Sequence, residues 1–379
     1  MSRLNKLLLF AIVMAFACMT ALVGDSMDIN GKLIATTISV DRKDGEVWFY
    51  VEFANIEASA GSDGASGAAS EFFLVKAHGK TFLEARLNLN RQLDKPLYMG
   101  SVRTLLITQR FAQSDLVEYL YRLRADEAYR KKIITITTRD DLDVLFKTMN
   151  DQNRSVGHSV ENTIKTLDNT GDCSLRTTSR LLENLSSSYT GILIPCIGLQ
   201  DREVAFTGYT VVNDTKAIGF IPIENCVGLN MLKADKAKSF YIVAYQNQRF
   251  SIEVTLTKRK ILSDYQDGRA NFTFSLNFDA TIEYGDRKTP YHLTKEKQQE
   301  IKGALEQMIL QDLLTAFDQA QKEFQTDYLQ CDDAFRVKNP ILYESLNWTD
   351  TFVGANLTAK IDIDLVSKHM LDYGDRVER

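Results

Sequence analysis

The chain has 379 residues, of which 44% are hydrophobic and 25% charged, with a formal net charge of −5. At about 100 to 200 residues per domain, this length predicts two or three domains. The composition excludes wholesale disorder and a polytopic membrane protein, and no block of Lys and Arg is long enough to follow a nucleic-acid backbone.

The first two dozen residues differ from the rest of the chain. Arg3 and Lys6 precede an uncharged run at residues 7–23, and Asp25 ends it. An export signal has this order of basic, apolar and polar regions. A permanent membrane helix needs about 20 apolar residues, so the run is short for that purpose. We therefore predict a signal peptide or a short membrane anchor over residues 1–23.

Cys18 is the candidate lipidation site. Ala15 and Ala17 suit general signal peptidase because small side chains fit its recognition pockets, whereas a small residue before Cys suits lipoprotein processing. A lipobox usually carries Leu where this chain has Ala15. The alternatives are an uncleaved helix and simple secretion. Acyl chains such as palmitate on Cys18 would contribute about 0.8 kcal/mol of membrane binding per buried CH₂.

Four further cysteines are scattered along the chain, at Cys173, Cys196, Cys226 and Cys331. Structural zinc sites bring their ligands in close pairs, so this spacing argues against a metal. In an exported chain the four cysteines could form disulfides, with three possible connectivities. Isolated buried thiols are the other interpretation.

After the signal region, predicted strands and helices alternate. Residues 32–41 and 46–55 are β-rich and flank Asp44-Gly45, a turn signal, so they predict a hairpin. Residues 61–70 lack large apolar side chains and predict a loop. Further strands are predicted at 71–78, 102–108 and 133–138, and helices at 81–92, 114–123 and 140–149.

The middle of the chain predicts two helices within residues 155–188, broken near Gly171, and then short strands that complete the earlier sheet. These strands are predicted at 189–199, 203–212 and 216–221. The last third begins with two long alternating strands, as one-sided burial in an antiparallel sheet produces. They are predicted at 250–262 and 271–284, before a long helix at 294–328 and a strand at 356–366.

These elements predict an α+β fold of several domains, in which mixed sheets carry flanking helices and a C-terminal antiparallel sheet packs on one long helix. Residues 24–200 form the predicted N-terminal region of two α+β subdomains, completed by strands within residues 189–245. Residues 201–379 form the predicted C-terminal region, which contains the helix at 294–328.

No catalytic, cofactor-binding or metal-binding residue is predicted, because no motif for hydrolysis, phosphate binding or metal binding occurs. The four histidines, His78, His158, His292 and His369, lie far apart in the sequence. Two acidic clusters, Asp140, Asp141 and Asp143 on one side and Asp332 with Asp333 on the other, could serve general acid–base chemistry only within a pocket. Helix capping explains Asp140.

Several segments resemble, in collinear order, the C subunits of spore germinant receptors, also called the Ger(x)C or GerAC family. The N-terminal ones are Asp28-Ile29-Asn30 before a strand that ends in Asp41, residues 79–100, and residues 107–130 with Ala112, Arg122 and Arg130. The later ones are residues 206–219 and the series Gln321, Asp327, Pro340 and Trp348. The chain departs from the family pattern at Ser101, where His is usual, and at Val23, which occupies the family's Cys position.

The resemblance implies a three-domain α+β protein on the outer face of the spore inner (cell) membrane, held by a lipid or by its N-terminal helix. It implies a non-catalytic subunit without a cofactor that works with integral-membrane A and B subunits and responds to nutrients during germination. Nucleic acid is not a predicted partner. The alternative is an exported lipoprotein that itself binds a small molecule, and a third hypothesis is an exported hydrolase.

Overall fold

The computed structural model of the chain describes residues 14, 31–55, 71–114, 116–125, 132–175, 177–186, 191–234, 236–245, 248–285 and 294–367. Apart from Met14, the predicted signal or anchor at residues 1–23 lies outside the described residues, and so does Cys18. The predicted loop at 61–70, His292 and His369 lie outside them as well. Among the described residues, no helix is both long and apolar enough to cross a membrane.

The larger of two sheets has the described strand order β3-β2-β1-β5-β6-β7-β8-β9, with β4 paired to the start of β1. Its strands are β1 (Leu33–Lys43), β2 (Glu46–Ala54), β3 (Phe72–Gly79), β4 (Leu97–Tyr98), β5 (Thr104–Thr108), β6 (Ile134–Thr138), β7 (Ile192–Gln200), β8 (Glu203–Asn213) and β9 (Lys216–Pro222). β1, β5, β6 and β7 run parallel at the centre, and antiparallel strands flank them.

The predicted β1–β2 hairpin is confirmed. Asp44 and Gly45 both have positive φ, 52° and 80°, which is the backbone of the tight turn that an Asp-Gly pair favours. The predicted strands between residues 189 and 221 also join the earlier sheet as β7, β8 and β9. The larger sheet therefore continues to Pro222, whereas the domain boundary at residue 200 stays a prediction.

Helices cover both faces of the larger sheet. They are α1 (Phe82–Asn90), α2 (Gln109–Ala112), α3 (Leu116–Ala125), α4 (Leu142–Asn150), α5 (Val156–Thr170) and α6 (Thr178–Ser186). Alternate residues of a strand point to opposite faces, and β5 shows this with Leu105 in one core cluster and Leu106 in the other. Helices α2 and α3 pack on the Leu105 face, and α4 and α5 pack on the Leu106 face.

A buried carboxylate fixes the start of α5. Glu52, on β2, accepts hydrogen bonds from Ser155 Oγ at 2.6 Å and from Val156 N at 2.8 Å. The hydroxyls of Thr36 and Thr37 on β1 donate to the same carboxylate at 2.6 and 2.8 Å. Negative charge is favoured at a helix N-terminus, where backbone N–H groups lack helical partners. Glu52 therefore joins β1, β2 and α5.

The smaller sheet has the described order β10-β11-β12-β13, and a long helix packs on it. Its elements are β10 (Lys238–Tyr245), β11 (Gln248–Gln266), β12 (Arg269–Gly285), β13 (Asn356–Ser367) and the helix α8 (Lys295–Asp318). The remaining helices are α7 (Cys226–Lys233), α9 (Cys331–Lys338), α10 (Pro340–Ser345) and α11 (Trp348–Val353). The predicted α+β fold class with mixed sheets and flanking helices is confirmed.

Two details of the C-terminal prediction differ. The sheet is antiparallel from β10 to β12, but β13 runs parallel to β12, because the chain returns through α8 to α11 before it forms the last strand. The long helix ends at Asp318, followed by a π-helical turn at Gln319–Glu323, and not near residue 328. In the sequence, the helical spacing of apolar residues continues beyond Asp318. The reason is that Ala320 is buried and Phe324 packs against the core, although the α-helix has already ended.

Gly171 closes α5 in the left-handed conformation, at φ 80°, where the prediction placed a helix break. A Cβ atom at this position would lie 2.0 Å from the carbonyl oxygen of Lys236. We expect Gly171→Ala to lower the free energy of unfolding of the purified chain by about 1 to 3 kcal/mol, because the strained backbone cannot relax without moving this neighbour.

The matched control is Gly303→Ala within α8, where a Cβ would meet nothing within 4 Å. This substitution should raise the free energy of unfolding by about 0.5 to 1 kcal/mol, since alanine is the better helix former. Denaturant unfolding followed by circular dichroism measures both. Equal effects of the two substitutions would contradict the close approach at Gly171.

Candidate functional site

A polar cleft opens where the chain leaves the central parallel strands. After β5 the chain continues into α2 on one face of the sheet, and after β6 it continues into α4 on the other. Open α/β sheets bind ligands in the crevice between such diverging connections, at the carboxyl ends of the strands. The cleft has a volume of about 480 Å³ and is lined by Thr108, Gln109, Arg110, Gln113, Thr138, Arg139, Asp140 and Asp141.

Asp41 lies fully buried beside this cleft, near the carboxyl end of β1. Its carboxylate accepts hydrogen bonds from Arg110 Nε and Nη2, both at 2.6 Å, and from Thr108 Oγ1 at 2.6 Å. Burial alone would raise the pKa of Asp41, but these hydrogen bonds and the Arg110 charge outweigh it and hold that pKa below its usual range. Arg110 therefore fixes the first turn after β5 to β1.

Lys43, two residues further along β1, connects the acidic residues of α4 to the sheet. Its Nζ donates to the Tyr50 hydroxyl at 2.9 Å and lies 3.4 and 3.5 Å from carboxylate oxygens of Asp141 and Asp143. Burial acts to lower the pKa of Lys43, and Tyr50 and the two carboxylates raise it above its usual value. Lys76, on β3, also pairs with Asp143 at 2.8 Å. These charges largely neutralise one another.

The predicted acidic cluster divides into two roles. Asp141, and not Asp140, caps α4, since its side chain accepts from the backbone N–H groups of Asp143 and Val144. Asp140 instead accepts a hydrogen bond at 2.6 Å from the N–H of Leu199 on β7. The cap lies one residue later than predicted because Asp140 is directed towards the neighbouring strand.

The two described histidines have separate surroundings. His78 stacks on Trp48, with 4.3 Å between ring centroids, and its Nδ1 lies 2.6 Å from a Glu46 oxygen. His158 is half-buried near the start of α5, and burial together with the nearby Arg103 charge lowers its pKa. Among the described residues, no group of three or more His, Cys, Asp or Glu side chains could hold a metal ion.

The four cysteines of the folded region are buried free thiols, which decides between the two interpretations left open by their spacing. Burial raises the pKa of Cys226 to about 12 and raises that of Cys173 further. A thiol must lose its proton to act as a nucleophile, so these groups are unreactive near neutral pH. They pack as small apolar side chains.

Asp327 organises the chain after the long helix. Its buried carboxylate accepts four hydrogen bonds, from the backbone N–H groups of Leu329, Cys331 and Asp332 at 2.8 to 3.2 Å and from Trp348 Nε1 at 3.0 Å. The Trp348 ring is itself buried in the core. Asp327 therefore holds the start of α9 and the start of α11 together.

Gln321, Asp327, Pro340 and Trp348, the series in the family resemblance, all have structural roles. Gln321 Nε2 donates to the carbonyl oxygens of Phe352 and Ala355 at 2.8 and 2.9 Å, which ties the π-helical turn to the end of α11. Pro340 is the first residue of α10, where its missing N–H is not needed. The series thus specifies how the short C-terminal helices fold back before β13.

Asp332 lies beside Asp327 and is also buried. Burial raises the pKa of Asp332 to about 7, and the nearby charges of Asp327 and Asp333 raise it as well. Its Oδ1 has no hydrogen-bond partner among the described residues. Burial also raises the pKa of Asp327, but its four N–H donors favour the charged form, so we assign the proton to Asp332.

Sequence reasoning missed the pairing of Asp41 with Arg110. The resemblance singled out Asp41 as the end of a strand, and Arg110 follows the next parallel strand but lies 69 residues away. The available signal was topological: carboxyl ends of adjacent parallel strands meet at one edge of a sheet, so an acid after one and a base after the other can pair. That signal needs the strand order, which the sequence did not supply.

Two family models cover most of the chain. The model described as "Spore germination protein N-terminal domain" matches residues 25–199, and the model described as "Spore germination B3/GerAC like, C-terminal" matches residues 207–368. The chain belongs to the GerAC family of spore germination proteins. This confirms the resemblance found in the sequence. The family is one of germinant receptor subunits and is not known for enzymatic activity.

A curated relative and a solved structure agree with this membership. Spore germination protein B3 of Bacillus subtilis (strain 168) is 19% identical to the chain over 363 residues, which cover 93% of this chain and 96% of the relative. The crystal structure of the GerBC protein matches with a TM-score of 0.55 and 15% identity, and covers 87% of this chain and 96% of its own. At this identity the structural match shows a shared fold.

The Asp41–Arg110 pair predicts that substitution of this half-exposed arginine strongly destabilises the fold. We expect Arg110→Ala to lower the free energy of unfolding by about 2 kcal/mol, because it leaves a buried carboxylate without its charged donor, while solvent that reaches the half-exposed arginine position limits the loss. Urea unfolding at pH 7 measures this value.

The control is Arg180→Ala, which removes an exposed helical pair with Glu183. Exposed pairs of this kind contribute about 0.5 kcal/mol or less. If the two arginine substitutions destabilised the chain equally, the Asp41–Arg110 pair would have no special structural role.

Asp332 predicts a pH dependence of stability. Its folded-state pKa of about 7 lies above the usual value of about 3.9, so the native state holds a proton that the unfolded state has lost between pH 4 and 7. Stability from this group is complete below pH 4 and is lost as the pH rises through 7, by at most about 1.4 kcal/mol per pH unit.

We therefore expect Asp332→Asn to gain stability relative to the wild type as the pH rises from 4.5 to 7.5. Denaturant unfolding across this range measures the difference between the two proteins. Asp318→Asn serves as the control, since Asp318 is exposed and pairs only with Lys322 on the described surface. A wild-type and Asp332→Asn difference that does not change with pH would contradict a protonated Asp332.

Proposed function

We propose that the chain is the non-catalytic, membrane-attached C subunit of a nutrient germinant receptor and that it works with integral-membrane A and B subunits. The observation that carries the proposal is the collinear match of both GerAC family models, over residues 25–199 and 207–368. A chain that matches both regions in order has the parts of a whole family member and not those of a single borrowed domain.

The geometry supports a role in contact rather than in chemistry. Asp41, Gln321, Asp327 and Trp348, which belong to the family resemblance, are engaged in hydrogen bonds that hold strands and helices together. The residues that carry the resemblance therefore maintain the shape of the fold. A shape that is maintained in this way is suited to docking against partner subunits.

Attachment to the membrane rests on the N-terminal sequence. The apolar run at residues 7–23, with basic residues before it, directs the chain to a membrane for export. Cys18 is the proposed acylation site, and the uncleaved helix is the other way in which the same segment would hold the protein. In either case the folded region lies outside the membrane, on the outer face of the spore inner membrane.

Co-purification tests the proposal. The full-length chain with a C-terminal tag, expressed from its own locus, should bring down A-type and B-type subunits from detergent-solubilised spore membranes. Deletion of the gene should abolish germination in response to at least one nutrient, and a wild-type copy should restore it. Mass spectrometry of the purified chain would show whether the mature N-terminus is an acylated Cys18.

The control is an unrelated exported lipoprotein with the same tag, prepared from the same spores. If the tagged chain brought down no A-type or B-type subunit beyond this control, and its deletion left every nutrient response intact, the chain would not be a receptor subunit. A cytosolic location of the intact chain would also contradict the proposal.

A further inference from the structure

Most charges around the polar cleft are already paired. Arg110 is neutralised by the buried Asp41, with two hydrogen bonds of 2.6 Å. Asp141 caps α4 and lies 3.4 Å from Lys43 Nζ. These groups form the wall of the cleft between β5 and β6. Because their charges are paired, they attract a charged ligand only weakly.

Two opposite charges in the same cleft have no ion-pair partner among the described residues. The guanidinium carbon of Arg139 lies 4.6 Å from the centroid of the Phe220 ring, and no described carboxylate pairs with Arg139. Asp140 accepts one backbone hydrogen bond, from Leu199, and no described cation pairs with it. The cleft thus presents one free positive and one free negative group.

Two neutral amides complete the lining. Gln109 and Gln113 are four residues apart, at the start of α2 and at its C-cap, so their side chains lie on one side of the helical turn. Within the described chain, neither side-chain amide makes a hydrogen bond, and both line the cleft. Each can donate and accept, which suits a ligand with polar groups of both kinds.

We propose that this cleft binds a small zwitterion, whose carboxylate pairs with Arg139 and whose ammonium group pairs with Asp140. A simple anion would meet the free carboxylate of Asp140, and a simple cation would meet the free guanidinium of Arg139. A zwitterion matches both. The volume of about 480 Å³ lies within the range of about 300 to 1,000 Å³ that small-molecule sites occupy.

The site lies where the fold holds it rigidly. Arg139 and Asp140 directly follow β6, and Asp140 is held to β7 through Leu199. Gln109 follows β5, whose end is tied to β1 through Thr108 and Asp41. Because four neighbouring parallel strands position these side chains, ligand binding needs no rearrangement of the sheet. This inference goes beyond the proposed function and does not depend on it.

Ligand-detected NMR with the full-length chain in detergent tests the site. The probes are pools of the standard α-amino acids and 4-aminobutanoate, followed by calorimetric titration of each compound that binds. We expect at least one to bind with a Kd of 10 mM or tighter, on the order of the weakest useful affinity for such a pair. Its N-acetyl derivative, which lacks the ammonium group, and its amide, which lacks the carboxylate, should each bind at least about tenfold more weakly.

The variants Arg139→Gln and Asp140→Asn test whether the ligand binds in this cleft. Each should weaken binding by about tenfold or more, because each removes one charged hydrogen-bonding partner of the ligand. Asp140→Asn keeps a side-chain oxygen for the Leu199 N–H, and Arg139→Gln loses only an exposed contact with the Phe220 ring, so the melting temperature should change little. Arg180→Gln, which replaces an exposed arginine on α6 outside the lining, is the control and should bind as the wild type does.

Three results would overturn the inference. The first is that no probe binds the wild-type chain with a Kd below 10 mM. The second is that the blocked derivatives bind as tightly as the parent compound. The third is that Arg139→Gln and Asp140→Asn, although folded, bind as tightly as Arg180→Gln. None of these results bears on co-purification with A-type and B-type subunits, so the two proposals fail separately.

Discussion

The buried carboxylate of Asp41 is the constraint on which the N-terminal region depends. A charge inside a protein is tolerated when hydrogen bonds or an opposite charge replace water, and Asp41 obtains both from Arg110 and Thr108. Because these partners come from the end of β5 and the turn after it, satisfying Asp41 aligns β5 against β1. The position of the cleft between β5 and β6 follows from that alignment.

Buried carboxylates also connect separate segments at two other places in the described chain. Glu52 joins β1 and β2 to the start of α5, and Asp327 joins the starts of α9 and α11. In each case a buried acid accepts backbone N–H groups that a helix start leaves without partners. The fold therefore uses its buried charges to connect segments that are distant in sequence, which local secondary structure cannot do.

The residues that hold the fold together differ from those in the cleft that remain able to bind a ligand. Asp41, Gln321, Asp327 and Trp348, which belong to the family resemblance, are engaged in hydrogen bonds inside the fold and so hold its shape. The cleft after β6 is different, because Arg139 and Asp140 remain without ionic partners among the described residues. The proposed subunit assembly and the proposed binding of a small ligand in the cleft are therefore compatible, because the cleft residues are not those that hold the fold together.

The sequence by itself determined the features that repeat over a few residues. Alternation predicted β11 and β12, the Asp44-Gly45 pair predicted the first turn, and Gly171 marked a helix end. Collinear motifs also determined the family. Only the tertiary structure decided the parallel direction of β13, the end of α8 and the pairing of Asp41 with Arg110. Those features depend on contacts between residues tens of positions apart, and periodicity carries no information about which distant strands become neighbours.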